Sequence, residues 1–289
     1  MANPSYNIKD VYSVFNKIDG YFWVKNGGNV EYENQFISKY CPYHRALESG
    51  YCRNYLEKAS SGVINLIDML KDKFDSKYDN LAEYAILLLI YKLKQHPQYK
   101  STNLNNFYTN HIEKNKHYDK KIKDNGPTYR DIIYKKKNLM DIKEISKFNE
   151  AFSILCKLYN GIINNKLDCT KYPNYPENFA NKFVELNNDS NINGSTSYSK
   201  LLSTLSDDYN HLKNNYGNNS CNFPPLPKVK TPPSKLIPVL STFSVIPVFL
   251  GIAYKYSLFG IDKIFQRQYL RKKLKKVKKK LKLNIRFEE

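Results

Sequence analysis

Catalytic signatures are missing from this 289-residue chain. Its five histidines, His44, His96, His111, His117 and His211, form no HExxH pair, and neither GxSxG nor GxxxxGK[ST] occurs. No sequence motif therefore sets a nucleophile beside a base or marks a phosphate cradle, and catalysis has no positive support. Gly27-Gly28 is an isolated pair, and His96, placed before Pro97 at a helix end, is expected to cap or to face solvent. Cys41, His44 and Cys52 are neighbours without a CxxC pair or a fourth ligand, so no metal is expected. Catalytic residues and cofactors are likewise not expected. Glycine is scarce, with 11 scattered residues, which excludes collagen-like and Gly-linker designs. Alternation of the strand type is absent, and MANPSYNIKDVYSVF lacks the basic and apolar regions of a cleavable signal.

What is plentiful is lysine and asparagine. The formal charge is +19, carried by 40 Lys and only 6 Arg against 27 acids, and Asn reaches 34. Codon bias toward A and T explains much of that excess, so the placement of charge is more informative than its sum. From Lys255 onward, 35 residues hold 13 basic and 3 acidic side chains. Just before them, LIPVLSTFSVIPVFLGIAY from Leu236 to Tyr254 contains no charge at all. As a helix these residues reach roughly 29 Å, the thickness of a bilayer core. Pro238 and Pro247 are compatible with a spanning helix, where Ser241, Thr242 and Ser244 can satisfy freed backbone groups. A span over residues 236–256 follows. The cations beyond it place the tail, residues 257–289, on the cytosolic side and the bulk of the chain across the membrane.

Residues 1–221 read as an all-α bundle. Ile145, Phe148, Phe152, Leu155, Tyr159 and Ile162 recur at three- and four-residue steps, as do Tyr198, Leu201, Leu202, Leu205, Tyr209, Leu212 and Tyr216. Shorter helices are expected over Ile8–Ile18, Ala59–Phe74, Asn80–Gln95, Thr102–His117 and Asn178–Leu186. Loops are expected at Asn26–Asn29, Lys123–Pro127, Tyr172–Pro176 and Asn187–Ser197. Five prolines between Pro224 and Pro233 make residues 222–235 read as a stiff stalk, with a boundary near Cys221.

Five cysteines, Cys41, Cys52, Cys156, Cys169 and Cys221, allow two disulfides in a non-cytosolic domain. Cys41 with Cys52 and Cys156 with Cys169 are the local choices, although other pairings remain open. In the tail, Leu270, Leu274, Val277 and Leu281 fall at steps of four, three and four. An amphipathic helix results, with cations on its other faces: Arg271, Lys272, Lys273, Lys275, Lys276, Lys278, Lys279 and Lys280. Beside a membrane such a helix is expected to rest on an anionic leaflet; nucleic acid is not expected as a partner.

CPYHRALESGYC from Cys41, LAEYAILLLIYKLKQ from Leu81, KFNEAFSILCKLYNGI around Cys156, CNFPPLP at Cys221 and the stretch STFSVIPVFLGIAYKYSLFGIDKIFQRQYLRKKLKKVKKKLKLNI resemble the Plasmodium interspersed repeat (PIR) proteins of rodent malaria parasites, of the CIR/YIR/BIR type. The resemblance covers nearly the whole chain. It implies a variant multigene family with a helical ectodomain, located at the parasite or infected red-cell surface or in exported membrane structures. It further implies antigenic variation and immune evasion without catalysis. Relatives carry a cysteine near the start, whereas Met1–Asp10 hold none, which leaves one of the five without a partner.

The expectation is therefore a single-pass membrane antigen whose polar loops, Asn26–Asn29 and Asn187–Ser197 among them, meet a host receptor or antibody. A membrane organiser inside the infected red cell, acting through bundle and tail together, is the alternative and predicts reduced cysteines.

Overall fold

The computed structural model describes residues 7–28, 30–44, 50–74, 78–164, 174–217, 221–232 and 262–285. Two units emerge from it, Met1–Pro233 and Ser234–Glu289. The first is built from α1 (Ile8–Asp19), a hairpin of β1 (Phe22–Lys25) and β2 (Val30–Glu33), a second hairpin of β3 (Tyr43–His44) and β4 (Gly50–Tyr51), and then helices. These are α2 (Tyr55–Leu70), α3 (Asp79–Gln95), the short α4 (Leu104–Phe107), α5 (Tyr129–Tyr134), α6 (Ile142–Ile163), α7 (Tyr175–Asn188), α8 (Ser190–Asn193) and α9 (Thr196–Tyr216). The second unit contributes α10 (Asp262–Ile285).

Helix starts follow side-chain caps. Asn7, Asn54 and Asn103 accept hydrogen bonds from the first turns of α1, α2 and α4, while Ser195 caps α9 and Thr128 and Asp131 form a capping box on α5. Each satisfies an otherwise orphaned backbone N–H. The Asn54 cap explains why α2 opens at Tyr55 and not at Ala59. The helix expected over Thr102–His117 is broken into α4, a π turn at Tyr108–Ile112 and a 3-10 turn at Lys116–Asp119, because Asn103 and Asn115 each cap a new start.

α3 lies at the centre, with every residue from Leu81 to Ile90 buried. A helix apolar all round belongs inside a bundle. Against it pack α1, α2 and α6, and the middle of the core is aromatic: Tyr12 stacks on Tyr159 at 4.0 Å, and Phe15 meets Phe152 edge-on at 4.9 Å. Several polar groups taken inside are paired. The Asp208 carboxylate accepts from Tyr12 at 2.7 Å and Tyr84 at 2.8 Å, joining α9 to α1 and α3. Glu83 accepts from Lys136 at 2.7 Å and Thr204 at 2.8 Å.

Several expectations change here. Strands are present, as two short hairpins. The Asn187–Ser197 region is helical, because Asp189 caps α8 and Ser195 caps α9 one turn later. His96 is the C-cap of α3 as expected, its N–H bonding the Leu93 carbonyl and its Nδ1 accepting from Gln98 N–H, but its ring is buried between Tyr55 and Tyr99 and does not face solvent. The proline-rich residues 221–232 form neither helix nor strand, and they do not stand free. Phe223 is buried, Leu226 and Val229 pack on the core, and the buried Asn187 donates to the Lys228 carbonyl at 2.9 Å while accepting from Lys230 N–H at 2.7 Å. Tyr209 hydroxyl adds a bond to the Pro224 carbonyl. The start of the expected stalk is thus a strap on the first unit. No helix among the described residues is long and apolar enough to cross a membrane; Leu236–Tyr254 lies outside them.

Candidate functional site

The β1–β2 hairpin is the feature of the first unit that most invites a partner. Its four-residue strands alternate, so Phe22 points in and contacts Tyr55 at 5.1 Å, while Trp23 points out. Trp23 stands opposite Tyr32, with ring centroids 5.4 Å apart and planes 6° from parallel. Lys25 Nζ lies 5.1 Å from the Tyr32 centroid. Beyond the strand ends Asn34 N–H donates to the Tyr21 carbonyl, which extends the pairing, and Tyr21 lies 5.5 Å from Phe36. Trp23 is 37% exposed, Tyr32 39% and Phe36 56%, whereas Phe22, Tyr55 and many other rings are buried in the core. An outward face of large rings edged by a cation is the result.

Buried charge holds that face still. Lys92, 1% exposed, donates to Asp19 Oδ1 and to the Phe22 carbonyl at 2.7 Å each, so β1 is tied to α3. Burial lowers the Lys92 pKa, and the Asp19 carboxylate works against that shift. Lys58 on α2 bridges Glu31 at 2.9 Å and Glu33 at 3.2 Å, which fixes β2. His96 Nε2 stands 3.6 Å from Glu31. Gly28, with φ of 91°, backs onto Pro97 so closely that a Cβ would lie 2.9 Å from its Cδ. Only glycine tolerates both the backbone angle and the approach. The Asn26–Asn29 region expected as a free loop is, in its described part, the anchored tip of this hairpin.

The second hairpin is closed by chemistry of another kind. Cys41 and Cys52 are disulfide-bonded, with Cα atoms 4.9 Å apart. Tyr43 pairs with Tyr51 across the strands, and Arg53 lies flat over Tyr43 at 3.3 Å. Between the hairpins, Asp68 on α2 gathers Tyr40, Lys39, Lys71 and Tyr129. Burial alone would raise its pKa, yet the four donors hold the carboxyl well below the usual range.

The other cysteines divide differently from the local choice. Cys156 is a free thiol buried in α6, its pKa raised by burial, so it is not the partner of Cys169. Cys221 is disulfide-bonded, and Cys169 lies outside the described residues.

In α10, by contrast, every residue from Phe265 to Val277 and on to Lys279 is exposed. Arg271, Lys272, Lys273, Lys275, Lys276, Lys278 and Lys279 project from a helix whose apolar residues Leu270, Leu274 and Val277 form a narrow seam. Lys280 and Leu281 belong to the same helix, although their side chains lie outside the description. The described tail side chains form no ion pair.

The hairpins escaped sequence reading because four residues of alternation are too few to stand out. The available signal was Asn26-Gly27-Gly28 between FWVK and VEYE, a turn dipeptide between two runs rich in strand-forming residues.

Comparison with known proteins completes the picture. Residues 12–255 match the family model described as Plasmodium variant antigen protein Cir/Yir/Bir. A solved structure titled as that of a Plasmodium PIR protein ectodomain is 33% identical, with a TM-score of 0.56, covering 77% of this chain and 100% of that one. No protein with a curated description matches. The matched span takes in both hairpins, the aromatic core and the proline strap, and it establishes that the chain belongs to the Plasmodium variant antigen family Cir/Yir/Bir.

Proposed function

We propose that the Met1–Pro233 unit is the displayed part of a single-pass variant antigen at the parasite or infected-erythrocyte surface, and that it contacts host receptors or antibodies through the outward face of the β1–β2 hairpin. The observation that carries this reading is the exposed Trp23–Tyr32 stack with Lys25 at its edge and Phe36 nearby. Rigid amphipathic rings of this kind dominate binding energy at protein interfaces, since they lose little conformational freedom on contact. The span is residues 236–256, and the tail lies on the cytosolic side against an anionic leaflet.

Variant display needs a scaffold that tolerates change at its surface. A core closed by aromatic stacking and buried ion pairs supplies one, leaving outward hairpin positions free to vary. Two features speak for an oxidising compartment over the organiser reading: Cys41–Cys52 is bonded, and so is Cys221.

Protease added to intact infected cells should remove the Met1–Pro233 unit and spare a tail epitope. Protection of that unit defeats surface display. Recognition itself is tested by Trp23→Ala/Tyr32→Ala: the variant should keep its fold and lose binding to host cells or to antibodies raised against the native unit.

A further inference from the structure

The tail helix has two cationic faces with different surroundings. Leu270, Leu274 and Val277 define the apolar seam, flanked by Arg267, Arg271, Lys273 and Lys278. At about 3.6 residues per turn, Lys272, Lys275, Lys276 and Lys279 fall on the opposite side, at steps of three, one and three. A helix resting by its seam puts the flanking cations at the lipid headgroups. The far stripe then stands across a helix about 10–12 Å thick, beyond a Debye length of about 8 Å. The leaflet cannot hold both faces at once.

That stripe also lacks any acidic neighbour among the described residues of its own helix after Asp262. Lys272 with Lys275 and Lys276, and Lys279 with Lys275 and Lys276, are like charges three or four residues apart, a spacing that destabilises a helix. In the first unit, lysines at such positions have carboxylates beside them: Lys147 with Glu144 at 2.7 Å, and Lys182 with Glu185 at 2.6 Å. On the far face of α10 no acidic residue occurs between Lys263 and Lys282.

We propose that the stripe Lys272, Lys275, Lys276 and Lys279 is a docking surface for an acidic helix of a cytosolic protein, whose Glu or Asp side chains repeat at the same three- and four-residue steps. The inference rests on the leaflet reading for the orientation of the helix. Charge complementarity selects the occupant. A second copy of the tail is repelled, and regular carboxylates on a helix match a stripe of four cations spanning roughly 10 Å along the axis.

The test uses the full chain reconstituted in phosphatidylcholine–phosphatidylserine vesicles with the tail outward, and a fluorescent helical peptide bearing Glu at three- and four-residue steps. Lys272, Lys275, Lys276 and Lys279 all changed to Gln should weaken peptide capture at least tenfold. The same change at Arg267, Arg271, Lys273 and Lys278 should weaken it less than threefold. Gln is a good helix former, so circular dichroism should show the helix retained in both. Equal losses from the two sets, or tighter capture of single-stranded RNA than of the peptide, overturn the proposal. Leaflet contact is read separately, by quenching of a fluorophore at Val277→Cys with lipid-borne quencher. Absence of quenching defeats the leaflet reading, whereas the contrast between the two variant sets still decides the docking face.

Discussion

The first unit and the tail helix use lysine in opposite ways. Inside the first unit Lys58, Lys92 and Lys136 are almost fully buried, and each has a carboxylate within 3 Å. Removing one member of such a pair leaves an uncompensated charge in a dry environment. In α10 the described lysines, Lys272 to Lys279, are exposed, form no ion pair and are set against one another. A structure of the first kind closes on itself. One of the second kind has no such closure, and an isolated helix draws little stability from its own backbone. The same residue type thus marks a closed interior in one region and an exposed charged surface in the other.

The contrast is sharpest where apolar side chains are shortened. Phe152 is fully buried and touches the rings of Phe15, Tyr12 and Tyr91. Phe152→Ala should lower unfolding free energy by about 3–5 kcal/mol. Leu274→Ala should leave the chemical denaturation midpoint of the first unit where it was. A shift from the tail variant comparable to that from the core variant would erase the distinction between the regions.

Next in size is a pH effect in the first unit. Burial pushes the Asp208 carboxyl up to about 7; the hydroxyls of Tyr12 and Tyr84 pull it down, and Asp207 and Glu83 push it further up. An unfolded Asp titrates near 3.9, at about pH 4. Between those values the folded state holds a proton that the unfolded state has released, so stability is greatest on the acid side and declines as pH rises. The decline amounts to on the order of 4 kcal/mol across the window. Asp208→Asn should flatten the slope of denaturation midpoint against pH between 4 and 7. Asp68 has the opposite sign, since its pKa is lowered, and its loss would appear only under more acidic conditions. An unchanged slope in the variant would mean that Asp208 is already ionised in the fold.

Bonds come third. Cys52→Ser opens the Cys41–Cys52 link and should cost about 2–3 kcal/mol. Measured alongside, the tail should show no change in helicity. Asn54→Ala removes the α2 cap, in which Asn54 Oδ1 accepts from Glu57 N–H at 3.0 Å, and should cost about 1 kcal/mol.

That cap bears on how much of the molecule is legible in its residues. Helix existence was readable wherever apolar side chains recur at three and four, as in α1, α6 and α9, since burial of one face is a local pattern. Helix starts were harder to read: those of α1, α2 and α4 are set by Asn7, Asn54 and Asn103, residues that composition alone assigned to codon bias. Distance in sequence hid the rest. Lys92 meets Asp19 across 73 residues and Lys136 meets Glu83 across 53, so neither pair leaves a mark within one helix. Asn187 read as the start of a loop because its partners are 41 and 43 residues away, in the proline strap. The candidate recognition face was missed for a different reason: two strands of four residues are readable only once the turn between them is recognised.

The smallest expected effect decides on which side of the comparison that face belongs. Trp23 and Tyr32 are exposed like the tail residues, yet they sit on a hairpin anchored by buried charge like the core. If the rings serve a partner, truncating either should cost little stability, and a double-mutant cycle over Trp23→Ala and Tyr32→Ala should give a coupling of about 0.2–1 kcal/mol, the range for cross-strand pairs. Denaturant titration of the four proteins measures it. A loss of several kcal/mol from Trp23→Ala alone would make the indole a structural member of the first unit, and its exposure would then say nothing about recognition. A small coupling, accompanied by loss of binding to host cells, would leave the outward rings with one remaining use: contact with a molecule outside the chain.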